Sequence, residues 1–204
     1  MTTAVSDTFT DTNDTALTSH TMDVGSGWTA IAGTFKISGN NAVSNSVVNE
    51  DRTYCDAGQS NYELTCDTVS YYTSSILFRL ASIMFRYQDT NNFWLVDPEF
   101  HTSTYALYER VGGSFTLRTS VTEALASGAA AAIKIIANGT SLEVFLNGVS
   151  KLTYTSSSFQ TQTKCGIRYA ASSPIPTTPT WDNFLVTYTA AGAGSPWYYY
   201  AMQG

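Results

Sequence analysis

Trp94 and Tyr108, with Arg86, Gln88 and Arg110 close by along neighbouring apolar–polar alternations, form the set best suited to hold a polar ligand. Aromatic rings stack on the apolar faces of sugars, while guanidinium and amide groups hydrogen-bond hydroxyls. All five have outward parity, as a lectin platform needs, although the same pattern fits a face covered by a loop or by a neighbouring subunit. Hydrolytic chemistry has one candidate, Asp97-Pro98-Glu99. Glycosidases use two facing carboxylates, about 5.5 Å apart in retaining enzymes. Asp97 and Glu99 share parity, but Pro98 lacks an N–H and is expected to end its strand. Glu109 and Glu143 stand alone on separate strands. His20 and His101 are the only histidines and lie in no nucleophile-elbow context. The chain therefore reads as a non-enzymatic binding module, with a divergent glycoside hydrolase as an alternative.

Other chemistries are weakly served. With two histidines and no Cys-x-x-Cys pair, a zinc site is not expected. Of the three cysteines, Cys55 and Cys66 are close enough in sequence to bridge a loop, and three reduced thiols are the other reading. A net charge of −6 argues against nucleic acid, whose binders cluster excess Lys and Arg. No apolar run approaches the roughly 20 residues of a membrane-spanning helix, so membrane insertion is not expected. Met1–Asp14 has neither a basic nor an apolar region and is not expected to act as a cleaved signal.

The elements that must position these residues are strands. Alternation of period 2 dominates from Ser75 onward and predicts strands at Ser75–Ala81, Ile83–Gln88, Phe93–Asp97, Tyr105–Arg110 and Phe115–Val121. Further strands are predicted at Ala132–Ala137, Ser141–Leu146, Lys151–Thr155, Lys164–Ala170 and Trp181–Tyr188, with Ala129–Ala132 able to extend a short helix. Asn138-Gly139 and Asn147-Gly148 read as hairpin turns, because both central positions of a type I′ turn need φ > 0. Earlier in the chain, Thr34–Ile37 and Asn41–Ser46 flank a hairpin turn, and Asn49–Cys66 reads as a long loop.

One parity collects Ile76, Phe78, Leu80, Phe85, Tyr87, Phe93, Leu95, Tyr105, Leu107, Phe115 and Leu117. The same parity continues through Ile133, Ile135, Leu142, Val144, Leu146, Leu152, Ile167 and Tyr169, which is enough for a core between two packed sheets. The opposite parity adds Arg79, Arg118, Lys134, Glu143, Lys151 and Arg168 to the outward set. At 204 residues this fits one domain, residues 1–189, followed by a Gly/Pro-hinged aromatic tail, residues 190–204.

Four segments carry a family likeness. Asp7-Thr-Phe9 with Leu17-Thr-Ser-His20, Gly27-Trp28 and Gly33–Asn40 resembles the start of laminin-G-like jelly rolls of the concanavalin A-like type. Phe85–Leu95, Leu142–Gly148 and Trp181–Val186 are similar to later strands of that family, which is common in phage structural and bacterial surface proteins. The resemblance implies an all-β, antiparallel two-sheet jelly-roll sandwich. It also implies a structural Ca²⁺ on Asp7 and Asp182, which match the family's metal-binding positions near the first and last strands, while an Asp that only caps a turn is the other reading. No other cofactor is required.

The fold hosts many functions, so the site must decide among them. The implied setting is a phage virion, as a capsid decoration, head-fibre or tail-associated module assembled in the host cytoplasm. Its partners would be cell-surface glycans, other virion proteins or copies of itself. The alternative is a carbohydrate-binding module of a bacterial surface or secreted protein. Trp197, Tyr198, Tyr199 and Tyr200 suit a subunit interface on the tail, or a tail folded back on its own sandwich.

Overall fold

The computed structural model of the chain describes residues 1–46, 49–74, 77–99, 104–123, 126–172 and 177–190. Its strands begin with β1 (Thr2–Asp7), β2 (Thr29–Ala32), β3 (Phe35–Ile37), β4 (Ala42–Ser44), β5 (Asn49–Asp56) and β6 (Tyr62–Val69). The middle holds β7 (Tyr71–Ser74), β8 (Leu77–Asp89), β9 (Asn92–Glu99), β10 (Thr104–Val111) and β11 (Ser114–Thr122). The chain continues through β12 (Ala130–Asn138), β13 (Ser141–Leu146), β14 (Val149–Thr155), β15 (Lys164–Ala171) and β16 (Thr180–Tyr188).

Two antiparallel sheets form the sandwich. One runs β14-β13-β12-β6-β16-β4-β3, with β1 also on β16; the other runs β11-β10-β9-β8-β15-β5-β2, with β7 also on β8. We call them the β6 sheet and the β8 sheet. Their inner faces bury Leu64, Ile83, Phe85, Trp94, Leu107, Ile135, Val144, Ile167, Trp181 and Phe184 in one continuous core. Sheet-on-sheet burial of this kind is the main stabilising term for such a fold.

Short loops fix the register. At Asn147-Gly148 both residues have positive φ (50° and 79°), as a type I′ turn requires. The preceding hairpin is displaced by one residue: Asn138 pairs with Ser141, so Gly139 (φ 54°) and Thr140 form its loop. No helix forms at Ala129–Ala132, because β12 begins at Ala130 and pairs with β6 on one side and β13 on the other.

The 49–66 stretch, expected as a loop, instead supplies β5 and most of β6, one in each sheet. In β6 the alternation is present but carried by Tyr62, Leu64, Cys66 and Thr68, the last two being weak hydrophobic signals. In β5 both faces are polar: Asp51 and Thr53 are buried inward, while Glu50, Arg52 and Tyr54 share the opposite parity. A strand without an apolar stripe is invisible to a periodicity argument.

The two strands expected at 75–88 are one 13-residue strand, β8. It carries a bulge where Arg86 takes φ 48°, so Phe85 and Tyr87, two residues apart, face opposite sides. The expected parity of β9 is also reversed. Trp94 and Val96 point into the main core, while Phe93 and Leu95 pack with Met84 and Tyr87 on the outer face of the β8 sheet. Phe93-Trp94-Leu95-Val96 is apolar at every position, so alternation could not assign its faces. Phe115 (40% exposed) and Leu117 (50% exposed), expected in the core, lie on edge strand β11. Phe78 is half-buried, Arg79 is buried, and Ile76 falls outside the described residues.

Candidate functional site

The outer face of the β8 sheet is built row by row from strand pairing. Phe115 lies beside Arg110 and Leu117 beside Tyr108; Arg110 and Tyr108 then face Phe93 and Leu95. Leu95 faces Met84, Met84 faces Gly166, and Gly166 faces Tyr54. Two residues along, Ser82 faces Arg168, which faces Arg52. Side chains two apart on one strand share a face, so Glu50, Arg52 and Tyr54 come together with Arg168, Asp97, Tyr108, Arg110 and Phe115. Gly166 is needed at the centre, because a Cβ there would lie 2.0 Å from the Thr53 carbonyl oxygen.

Charges on this face are interlocked. Arg168 Nε donates to Glu50 Oε1 at 2.5 Å, and its Nη1 lies 3.3 Å from Asp97 Oδ2. Ser82 Oγ donates to the other Asp97 oxygen. Arg52 Nε and Arg110 Nη1 approach the same Glu50 oxygen at 3.5 and 3.9 Å. Burial would raise the Glu50 carboxyl, but the pull of Arg168, then Arg52 and Arg110, holds it below its ordinary value. Burial dominates at Asp97 and pushes its carboxyl up despite Arg168.

Aromatic rings support these cations. The guanidinium of Arg110 lies 4.8 Å from the Phe115 centroid and 5.5 Å from that of Phe93. Arg168 lies 5.4 Å from Phe115, and Arg52 lies 5.7 Å from Phe93. Leu95, Asp97, Tyr108, Phe115 and Arg168 line an open cavity of about 230 Å³. Such a hollow, with an aromatic wall and a few oriented polar groups, suits part of a small polar ligand. A cavity of about 310 Å³ opens between Tyr62, Asn138 and Thr187, but among the described residues Glu63 is the only ionisable carboxylate, Lys or Arg side chain in its lining.

The residues singled out from sequence divide between several places. Tyr108 and Arg110 lie on this face. Trp94 does not: it is 0% exposed in the inter-sheet core, and its Nε1 donates to the Ser158 carbonyl at 3.2 Å. Arg86 is turned inward by its bulge, where its Nη2 donates to the Gly139 carbonyl at 2.7 Å. Gln88 is exposed near the β8–β9 turn, its amide 3.4 Å from Asp89. Pro98 does not end β9; it pairs with Tyr105 beyond the last residue paired to β8, where its missing N–H costs no ladder bond. Asp97 is held by Ser82 and Arg168, while the Glu99 side chain, His101 and Trp197–Tyr200 fall outside the described part.

Asp7 and Asp182 are both engaged by protein donors. Asp7 Oδ1 lies 2.9 Å from His20 Nε2 and accepts the Phe9 amide at 2.7 Å, while Oδ2 accepts Trp28 Nε1 at 2.7 Å. These donors take three of the carboxylate's roughly four lone-pair directions. Asp182 Oδ1 accepts the Asn183 amide at 2.7 Å. Among the described residues no group of three or more His, Cys, Asp or Glu side chains could hold a metal ion. The cysteines are free, and Cys55 faces Cys165 across β5 and β15 rather than Cys66, their sulfurs 4.0 Å apart.

Glu50, Arg52 and Tyr54 were missed because their segment read as a loop. The signal was the alternation of Glu50, Arg52 and Tyr54 with Asp51, Thr53 and Cys55, a strand pattern written in polar residues.

No family model and no curated protein sequence matches the chain. Its fold is similar to that of a carbohydrate-binding module, CBM66, from Bacillus subtilis, with a TM-score of 0.64 and 12% identity over 80% of this chain and 97% of that one. It also resembles the exoplasmic/lumenal domain of VIP36 in its Ca²⁺/Man3GlcNAc-bound form, with a TM-score of 0.59 and 9% identity over 80% of this chain and 86% of that one. A Bacillus subtilis protein of unknown function with a galectin-like fold gives a TM-score of 0.56 and 16% identity over 78% and 88% of the two chains. At these identities the likeness establishes the jelly-roll fold.

Proposed function

We propose that the chain is a non-enzymatic glycan-binding module whose site is the outer face of the β8 sheet. The observation carrying this reading is the convergence of Tyr108, Phe115, Asp97 and Arg168 on one cavity. The exposed Phe115 ring offers a stacking surface, and Tyr108 forms the neighbouring wall. Arg168 donates to hydroxyls while Asp97 accepts from them, and their mutual bond fixes both in advance, which lowers the ordering cost of binding. The carbohydrate-binding module and the Man3GlcNAc-bound domain that share this fold support the ligand class.

The setting we assign is a phage virion, in a decoration, head-fibre or tail-associated role. What supports it is the resemblance to a family common in phage structural as well as bacterial surface proteins, and the likeness to the Bacillus subtilis module favours a bacterial surface or secreted protein as the second reading. Within a virion, Trp197–Tyr200 supply aromatic anchors for assembly.

A glycan array probed with the intact chain and with its Phe115→Ala variant tests the ligand class. Wild-type chain should bind a defined set of glycans that the variant, still folded by circular dichroism, binds about tenfold or more weakly. Equal binding by both would move the site elsewhere.

A further inference from the structure

We infer that the outer face of the β6 sheet receives the aromatic tail of a second copy, so that two chains hold each other by exchanging the Trp-Tyr-Tyr-Tyr run at residues 197–200. This rests on the assembly role proposed above for these residues and names both the partner and the surface that takes them. The surface is the cavity of about 310 Å³, which one cross-strand row builds: Ile136 on β12 faces Glu63 on β6, and Glu63 faces Thr187 on β16. Ile135, Leu64 and Val186, each one residue away, fill the core, so this row points outward.

The lining matches large amphipathic rings. Met1, Ile136, Ala137 and the rings of Tyr62 and Tyr188 supply apolar surface. Glu63 supplies an acceptor, since its ion pair with Lys134 is 3.8 Å long, beyond hydrogen-bond distance. An indole N–H or phenol O–H needs such an acceptor beside an apolar slot. The volume lies at the lower end of the range for ligand pockets, roughly 300–1,000 Å³, and suits one large ring.

Chemistry and reach both favour the tail of a second copy. Residues 190–204 contain no Asp, Glu, Lys or Arg, and among the described residues Glu63 is the only such side chain lining the cavity. Two chains of net charge −6 therefore meet there with little like-charge repulsion. The chain leaves the domain at Thr189, on the cavity's own rim. From there, residues 190–196 span up to about 25 Å before the first aromatic, more than a return to that rim needs and enough to cross to a facing copy. Side chains of an extended segment alternate in direction, so four adjacent aromatics laid on their own domain would leave every second ring in water. Between two copies both sides are covered.

Area agrees with this. Four large aromatics bury on the order of 600–1,000 Å² per tail. Two reciprocal tails reach roughly 1,200–2,000 Å², the size of a stable specific interface. Reciprocal exchange also closes the assembly as a two-fold dimer. The cavity and the proposed sugar site lie on opposite outer faces, so such a dimer displays two sugar sites and gains avidity on a multivalent glycan.

The test is sedimentation of the intact chain and of two full-length variants, with circular dichroism melts checking the fold. The intact chain should form a dimer, and Trp197→Ala and Ile136→Glu should each weaken it about tenfold or more. A second measurement does not depend on the folding of either variant. With p-benzoylphenylalanine replacing Trp197, a mixture of isotope-labelled and unlabelled chains should photo-cross-link one chain to Ile136, Asn138 or Tyr188 of the other. Cross-links confined to single chains would mean that the tail docks on its own domain, and the inference fails. If Trp197→Ala disperses the dimer while folded Ile136→Glu does not, or cross-links between chains fall elsewhere, the assembly role stands and this receptor is wrong. A chain that stays monomeric overturns both.

Discussion

Arg168 Nε lies 2.5 Å from Glu50 Oε1, joining the centre of β15 to the start of β5 across the outer face of the β8 sheet. With Arg168 Nη1 also near Asp97, one guanidinium ties three strands. Replacing Arg168 by Ala leaves two carboxylates facing each other with weakened compensation. The expected cost is about 1–3 kcal/mol, kept modest because the Glu50 side chain is 30% exposed. Urea denaturation measures it, and glycan binding should fall in the same variant. An unchanged midpoint would mean that the bond adds nothing to the fold.

The reversed faces of β9 are tested by a pair of aromatic truncations. Trp94→Ala removes a fully buried side chain from the main core and should cost about 3–5 kcal/mol. Phe115→Ala acts on an exposed edge and should stay within about 1 kcal/mol while weakening sugar binding. Similar losses of stability for both would contradict the assigned faces.

His20 sets a pH dependence. Burial alone would lower its pKa, but hydrogen bonds to Asp11 and Asp7, with their charges, outweigh burial and raise it above the ordinary histidine value. A raised folded-state pKa gives stability that is complete below about pH 6.5, the unfolded value, and is lost as pH rises through the folded value. Thermal melts of wild type should therefore fall over that range more than those of His20→Gln. Parallel curves would remove the ion pair from the account.

The cysteines should be silent in the folded chain. Burial comes first in raising the Cys55 thiol well above its ordinary value, with the neighbouring Cys165 adding to it, and burial does the same for Cys66. Ellman's reagent should titrate no thiol in the native protein and all three after denaturation. A native count above zero would show that one of the strands opens readily.

The aromatic tail has its own test. A chain ending at Ala190 should keep its β-sheet circular dichroism and sediment as a smaller species if Trp197–Tyr200 hold subunits together. Full assembly of the shortened chain would exclude that contact, and unfolding would place the aromatics in the domain's own core.

The sandwich was legible wherever strands carried an apolar stripe on one side only. Ile133 and Ile135 with Leu142, Val144 and Leu146 gave both the strands and the faces of β12 and β13. Sequence reasoning lost the faces at Phe93–Val96, where both sides are covered, and at Arg86, where a bulge reverses parity within one strand. The candidate site was the hardest part to read. Tyr108 and Arg110 were visible, but β5 devotes one face to Glu50, Arg52 and Tyr54 and puts Asp51 and Thr53 inward. A strand whose two faces are both largely polar keeps little of the pattern that identifies a strand.

The central claim, a sugar site on the outer face of the β8 sheet, is tested most directly by amide chemical-shift mapping during titration with a glycan selected on the array. Shifts should concentrate at Tyr54, Leu95, Asp97, Tyr108, Phe115 and Arg168 and leave the β6 sheet unmoved. Shifts gathered instead around Tyr62, Asn138 and Thr187, beside the 310 Å³ cavity, would contradict the account.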